Sequence, residues 1–99
     1  MRDFLLRMRE RIEAGWIQHI LYAPDGRCCL YGALLIADER EDENNPSHVG
    51  REVDYLLNAL LLKRGFSKGY IHYNDTIGRT KEEILQLLDE AIQSCDNKS

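Results

Sequence analysis

Long apolar runs are missing from this chain of 99 residues. The longest stretch without Asp, Glu, Lys or Arg covers residues 14–24, well short of the roughly 18 residues that a membrane span needs. No signal peptide is expected, because charges break up the opening MRDFLLRMRE before an apolar segment can form. Cysteine is scarce and odd in number: three, of which Cys28 and Cys29 are adjacent. That is a poor disulfide framework and points to a reduced, cytoplasmic setting. Only two prolines interrupt the chain, which leaves room for long helices. Excess basic charge is also absent. The net charge is −4, so nucleic acid is not the favoured partner, and the small stripe Arg7 and Arg11 does not change that.

What is present is 43% hydrophobic and 30% charged residues, the balance of a soluble globular domain. At this length one domain is expected, over 1–95, with a frayed tail at 96–99. The charge is unevenly placed. Segment 38–45, DEREDENN, carries five acidic and one basic residue and reads as a solvated loop. No internal repeat or low-complexity tract occurs.

Periodicity predicts an all-α fold, a compact bundle of about four helices. Over 2–22, Phe4, Leu5, Met8, Ile12, Trp16 and Ile20 fall within an arc of about 160°. Pro24-Asp25-Gly26 then makes a turn. Segment 27–38 has no charge from Cys28 to Ala37, so this helix should be enclosed by the others, and the pair Gly32-Ala33 would let a neighbouring helix come close. Asn45-Pro46 is a cap and first-turn signal for a third helix, with Val49, Val53, Leu56, Leu57 and Leu60 on one face and Gly65 as its stop. Residues 65–79 read as an irregular loop, with a short strand or turn at 70–73. Thr80 and Glu83 form a capping box for a last helix whose apolar face runs from Ile84 to Cys95.

Few residues suggest chemistry. Cys28 and Cys29 lie at the start of a predicted helix, where a thiol pKa falls, and His72 with Asn74 or Asp75 follows in the order used by cysteine hydrolases. The competing reading is that both cysteines pack as small apolar residues. No usual metal-ligand spacing and no cofactor motif occurs, so neither metal nor cofactor is expected. His19 falls on the first helix's apolar arc and reads as a buried, hydrogen-bonded histidine. Trp16 reads as core, with a partner-anchoring role as the alternative. The stretch Tyr73–Thr80 is the most distinctive: a polar plug before the last helix, with Asp75 bonded to Arg79 or to backbone amides, or else a recognition loop. Leu61 and Leu62, and likewise Leu6, Ile17 and Leu21, fall outside the main apolar faces and suggest self-association or a partner surface, or else cover by the 65–79 loop.

Several of these pieces together resemble one family. They are Gly15-Trp16, Cys29-Leu30-Tyr31-Gly32-Ala33-Leu34, Tyr73-Asn74-Asp75, Arg79-Thr80 and Glu83 through Ile92. In this order they are similar to a family of small bacterial, largely actinobacterial, and phage proteins known only as a domain of unknown function. Tyr73 departs from that pattern, in which Trp is usual, and the acidic segment 38–45 is peculiar to this chain. The resemblance carries no activity. It implies that Trp16, Cys29, Asn74, Asp75, Arg79 and Thr80 form one unit, and it brings in a phage or mobile-element accessory role. The function expected is a small non-enzymatic protein-interaction or regulatory module, with Trp16, Asn74, Asp75 and Arg79 as its binding residues. The alternative is a small enzyme using Cys28 or Cys29 with His72.

Overall fold

Every described helix buries an apolar stripe in one shared core, and the fold follows from how five such stripes meet. The computed structural model describes residues 1–39 and 47–96. In chain order the helices are α1 (Arg2–Ala14), α2 (Leu30–Ala37), α3 (His48–Lys63), α4 (Tyr70–Asp75) and α5 (Lys81–Asp96). The fold is all-α. Among the described residues the only β features are two isolated bridges, from Cys28 to Trp16 and to Tyr22.

α1 packs mainly on α5 and α2 through Phe4, Leu5, Met8 and Ile12. It stops eight residues before the predicted end. Gly15 takes an extended conformation, and its amide closes the last turn on the Arg11 carbonyl at 3.2 Å. Trp16 and Ile20 shared the helical arc by coincidence of spacing. From Gly15 to Cys29 the chain is an irregular loop folded back on itself. The Cys28 amide donates to Gly15 O at 3.1 Å, and the Cys28 carbonyl accepts from Ile17 N at 3.2 Å. The expected turn at Pro24-Asp25-Gly26 sits at the far end of this loop, where Ala23 N donates to Arg27 O at 2.8 Å. His19 is therefore not a buried helical histidine: it is exposed, with φ +75°.

α2 is the enclosed helix that its lack of charge predicts, with six of its eight residues buried. It begins at Leu30, after Cys29 rather than Arg27. The backbone that exploits Gly32 belongs to the loop and not to a helix. A Cβ at Gly32 would collide with the Leu21 carbonyl oxygen.

α3 starts after Ser47, whose hydroxyl accepts from Gly50 N at 3.0 Å, while the signal at Asn45-Pro46 lies outside the described residues. Most of the acidic segment and the last three residues of the tail lie outside them as well. α3 ends in a Schellman motif. Gly65, at φ +84°, donates to Leu62 O at 3.0 Å, and Phe66 N donates to Leu61 O at 2.9 Å. Leu61 is fully buried and belongs to the core, whereas Leu62 is exposed.

The region expected to be irregular contains α4, a helix and not a strand. Six residues are too few to show a helical period. The helix is nucleated from outside instead: the Asn58 carboxamide on α3 accepts from Tyr70 N at 2.9 Å, next to Gly69 at φ +89°. The Tyr70 hydroxyl also bonds Asp54 of α3. α5 follows its capping box as predicted. Glu83 N donates to Thr80 Oγ1 at 3.2 Å and Thr80 N to Glu83 Oε1 at 3.0 Å.

Candidate functional site

Asn74, the last residue but one of α4, is the one buried polar side chain among the described residues. An amide has two acceptor and two donor positions, and all four are filled here. Its Oδ1 accepts from the Trp16 indole at 2.7 Å and from Leu30 N at 3.0 Å. Its Nδ2 donates to Ile17 O at 3.3 Å and to Asp75 Oδ1 at 2.9 Å. Two donors on one side and two acceptors on the other leave a single orientation for the amide. Leu30 N is one of the orphan donors at the start of α2. Asn74 thus caps a helix 44 residues away while anchoring the loop that precedes it.

The neighbours extend this seam. Gln18 Nε2 donates to the carbonyls of Asn74, at 3.0 Å, and Thr76, at 2.9 Å. Asp75 Oδ1 also accepts from His19 N at 2.8 Å. His19 is a non-glycine residue in the left-handed region, a conformation that needs outside support, and Asp75 supplies it. Loop 15–29 is thereby sewn to the end of α4.

Arg79 does not pair with Asp75. Its guanidinium carbon lies 3.6 Å from the Tyr73 ring centroid, its Nε donates to Tyr73 O at 2.9 Å and its Nη1 to Glu83 Oε2 at 2.7 Å. Asp75 faces the other way and takes the backbone-amide option. Tyr73, where Trp was the pattern, packs edge-on to Phe66 at 5.3 Å, and its hydroxyl accepts from Arg64 Nη1 at 3.3 Å. Thr80 N–H and Arg79 hold Glu83 below the usual carboxylate range.

The two cysteines sit directly behind the seam. The Cys29 sulfur is the side-chain cap of α2 and accepts from Gly32 N at 3.3 Å. Burial pushes the Cys29 thiol up, against the lowering effect of the Gly32 and Tyr31 amides. Cys28 is fully buried, and burial, reinforced by its neighbour Cys29, pushes its thiol to about 11. Neither is a thiolate near neutral pH, and a neutral thiol is a poor nucleophile. His72 is exposed and lies tilted against Phe66, at 6.4 Å between ring centroids. Among the described residues no three His, Cys, Asp or Glu side chains come together as a metal set.

Trp16, Cys29, Asn74 and Asp75 thus meet in one place, with Arg79 and Thr80 bracing the turn that follows. Sequence reasoning missed Gln18 and Asn58. Each is a polar residue whose partner is distant in the chain, and nothing local marks it.

Fold and seam together define a small all-α domain built around a buried asparagine that fastens a loop to two helices. The chain belongs to the family of unknown function DUF6197, whose model matches residues 1–94. No curated protein and no solved structure matches it. No helix of the described residues is long and apolar enough to cross a membrane.

Proposed function

We propose that this protein is a small non-enzymatic protein-interaction or regulatory module, and that its partner surface is the outer side of the seam. The observation that carries the reading is Ile77, 98% exposed on a turn that is fixed at both ends. Thr76 Oγ1 donates to His72 O at 2.9 Å, Gln18 holds Thr76 O, and Arg79 N donates to Thr76 O at 3.0 Å. Ile20 and Ile71 are each about half exposed and belong to the two segments that the seam joins, loop 15–29 and α4. Ile20 adjoins His19, and Ile71 shares a face of α4 with Asp75 four residues on. One exposed isoleucine is ordinary, but one held on a turn fixed at both ends, with two more on the segments that the seam joins, offers a pre-organised apolar anchor that loses little entropy on binding.

In this reading Trp16, Asn74, Asp75 and Arg79 serve binding by holding the surface in shape. The reduced, cytoplasmic setting belongs to the same proposal and is supported by three free cysteines. Affinity capture from a native-host lysate, with wild type and Ile77→Asp side by side, tests the proposal. The expected result is a protein retained by wild type and lost by a variant that melts at the same temperature. Equal capture by both would overturn the assignment of the surface.

A further inference from the structure

α3 buries Val53, Leu57, Leu60 and Leu61 in the core, yet its opposite side is not simply polar. Tyr55 is 81% exposed and Leu62 60% exposed. They stand seven residues apart, two turns along one face, with half-buried Ala59 between them. On one edge of this stripe lie Glu52, near its N-terminal end, and Lys63, at its C-terminal end. Beside it runs a groove of about 710 Å³ between α3 and the ends of α1 and α5, floored in part by Leu56, Ala59 and Cys95.

This face is complementary to itself. An antiparallel second copy, related by a two-fold axis passing between Asn58 and Ala59, sets each Tyr55 against the other copy's Leu62. Ala59 lies at the crossing, where a small side chain lets two helices approach. The same two-fold keeps each edge on its own side, so Glu52 of each copy comes within two residues, about 3 Å along the axis, of the level of Lys63 of the other, a gap that the long lysine side chain spans. Within one chain these two are eleven residues apart, about 16 Å along the helix, and cannot meet. Among the described residues Glu52 pairs only with exposed His48, at 2.9 Å, and Lys63 forms no ion pair. We infer that the protein forms a two-fold homodimer through the Tyr55–Ala59–Leu62 face of α3, with reciprocal Glu52–Lys63 pairs fixing the antiparallel register. Ile77 belongs to the turn after α4 and not to this face of α3, so a dimer presents two partner surfaces.

One helix pair and the adjoining grooves make a small interface, and its association belongs in the range of about 10 µM to 1 mM. Sedimentation of the full chain across that range tests the inference. Wild type should rise from a mass of 11.5 kDa towards twice that value. Glu52→Lys and Lys63→Glu should each weaken dimerisation roughly tenfold, since each change acts twice in a symmetric pair. The double variant Glu52→Lys/Lys63→Glu should recover wild-type association, a rescue that a merely structural effect on α3 would not give. Leu62→Glu should give a monomer with unchanged helical circular dichroism, and Ile77→Asp should leave the mass unaffected. A monomeric wild type throughout the range overturns the inference. So does a dimer indifferent to either single charge change, a double variant that fails to recover, or a dimer broken by Ile77→Asp.

Discussion

At the scale of single residues, the weight carried by Asn74 is out of proportion to its size. Replacing it with Ala leaves Leu30 N without a partner in the interior, and the half-buried Trp16 indole and Ile17 O without theirs. Each orphaned group costs about 1–3 kcal/mol. Asn74→Ala should therefore lose at least about 3 kcal/mol, and the melting temperature should fall by at least about 12 °C. Asn74→Asp should be comparably harmful at neutral pH, because a carboxylate would then face Ile17 O and Asp75 where the amide now donates. Its melting temperature should recover in part under acid. Thermal denaturation followed by circular dichroism measures both. Asp75→Ala removes the acceptor for His19 N and Asn74 Nδ2, and about 1–3 kcal/mol should go with it. Arg79→Ala should cost a similar amount through Tyr73 and Glu83. Melting temperatures within a degree of wild type for these two variants would mean that the seam is decoration and not support.

At the scale of elements, legibility followed length. α3 and α5 each run for 16 residues, long enough for their periods to stand out, and the Thr80–Glu83 box marks the start of α5 within a residue. α1 was legible as a helix but not in extent, because the wheel places Trp16 and Ile20 on the apolar arc whether or not the helix continues through Gly15. α4 was not legible at all: its start depends on Asn58, a donor's partner supplied from another helix. The plug was visible as a polar cluster of turn-forming residues, but its chief partners, Trp16 and Leu30, lie 58 and 44 residues away. Gly32 sets local preference against packing most sharply. Alanine is the better helix former by about 1 kcal/mol, yet a methyl at this position meets the Leu21 carbonyl. Gly32→Ala should therefore destabilise the protein by about 1–3 kcal/mol, as overpacking does. A gain in denaturant midpoint would show that loop 15–29 yields at no cost. Thr80→Ala should cost about 1 kcal/mol through the lost cap, read from the same denaturant curves.

At the scale of the whole molecule, the buried thiols couple folding to pH. A cysteine whose pKa is higher in the fold than in the open chain favours the native state only while both are protonated. That contribution is complete below the open-chain value of about 8.5 and is lost as pH rises through the folded value, for Cys28 about 11. The melting temperature should accordingly fall between about pH 8.5 and 11, and Cys28→Ala should flatten part of that decline. Glu83 works in the opposite direction. Its folded pKa lies below the usual carboxylate range, so its contribution is present above that range and disappears as pH falls through it. Iodoacetamide at neutral pH should modify Cys95 first and leave Cys28 and Cys29 largely untouched until the protein is denatured.

The packing of α1 against α5 also places the first helix of the chain against its last, and Arg2 meets Asp96 at 2.8 Å. A ribosome delivers these two helices in the wrong order for quick pairing. At about 5–20 residues per second, the 66 residues between Ala14 and Lys81 take several seconds to synthesise. During that interval Phe4, Leu5, Met8 and Ile12 lack α5, one of the two helices on which they mainly pack. The nascent chain therefore passes through a stage in which its N-terminal helix is exposed to chaperones and proteases. Release from that stage awaits the synthesis of α5.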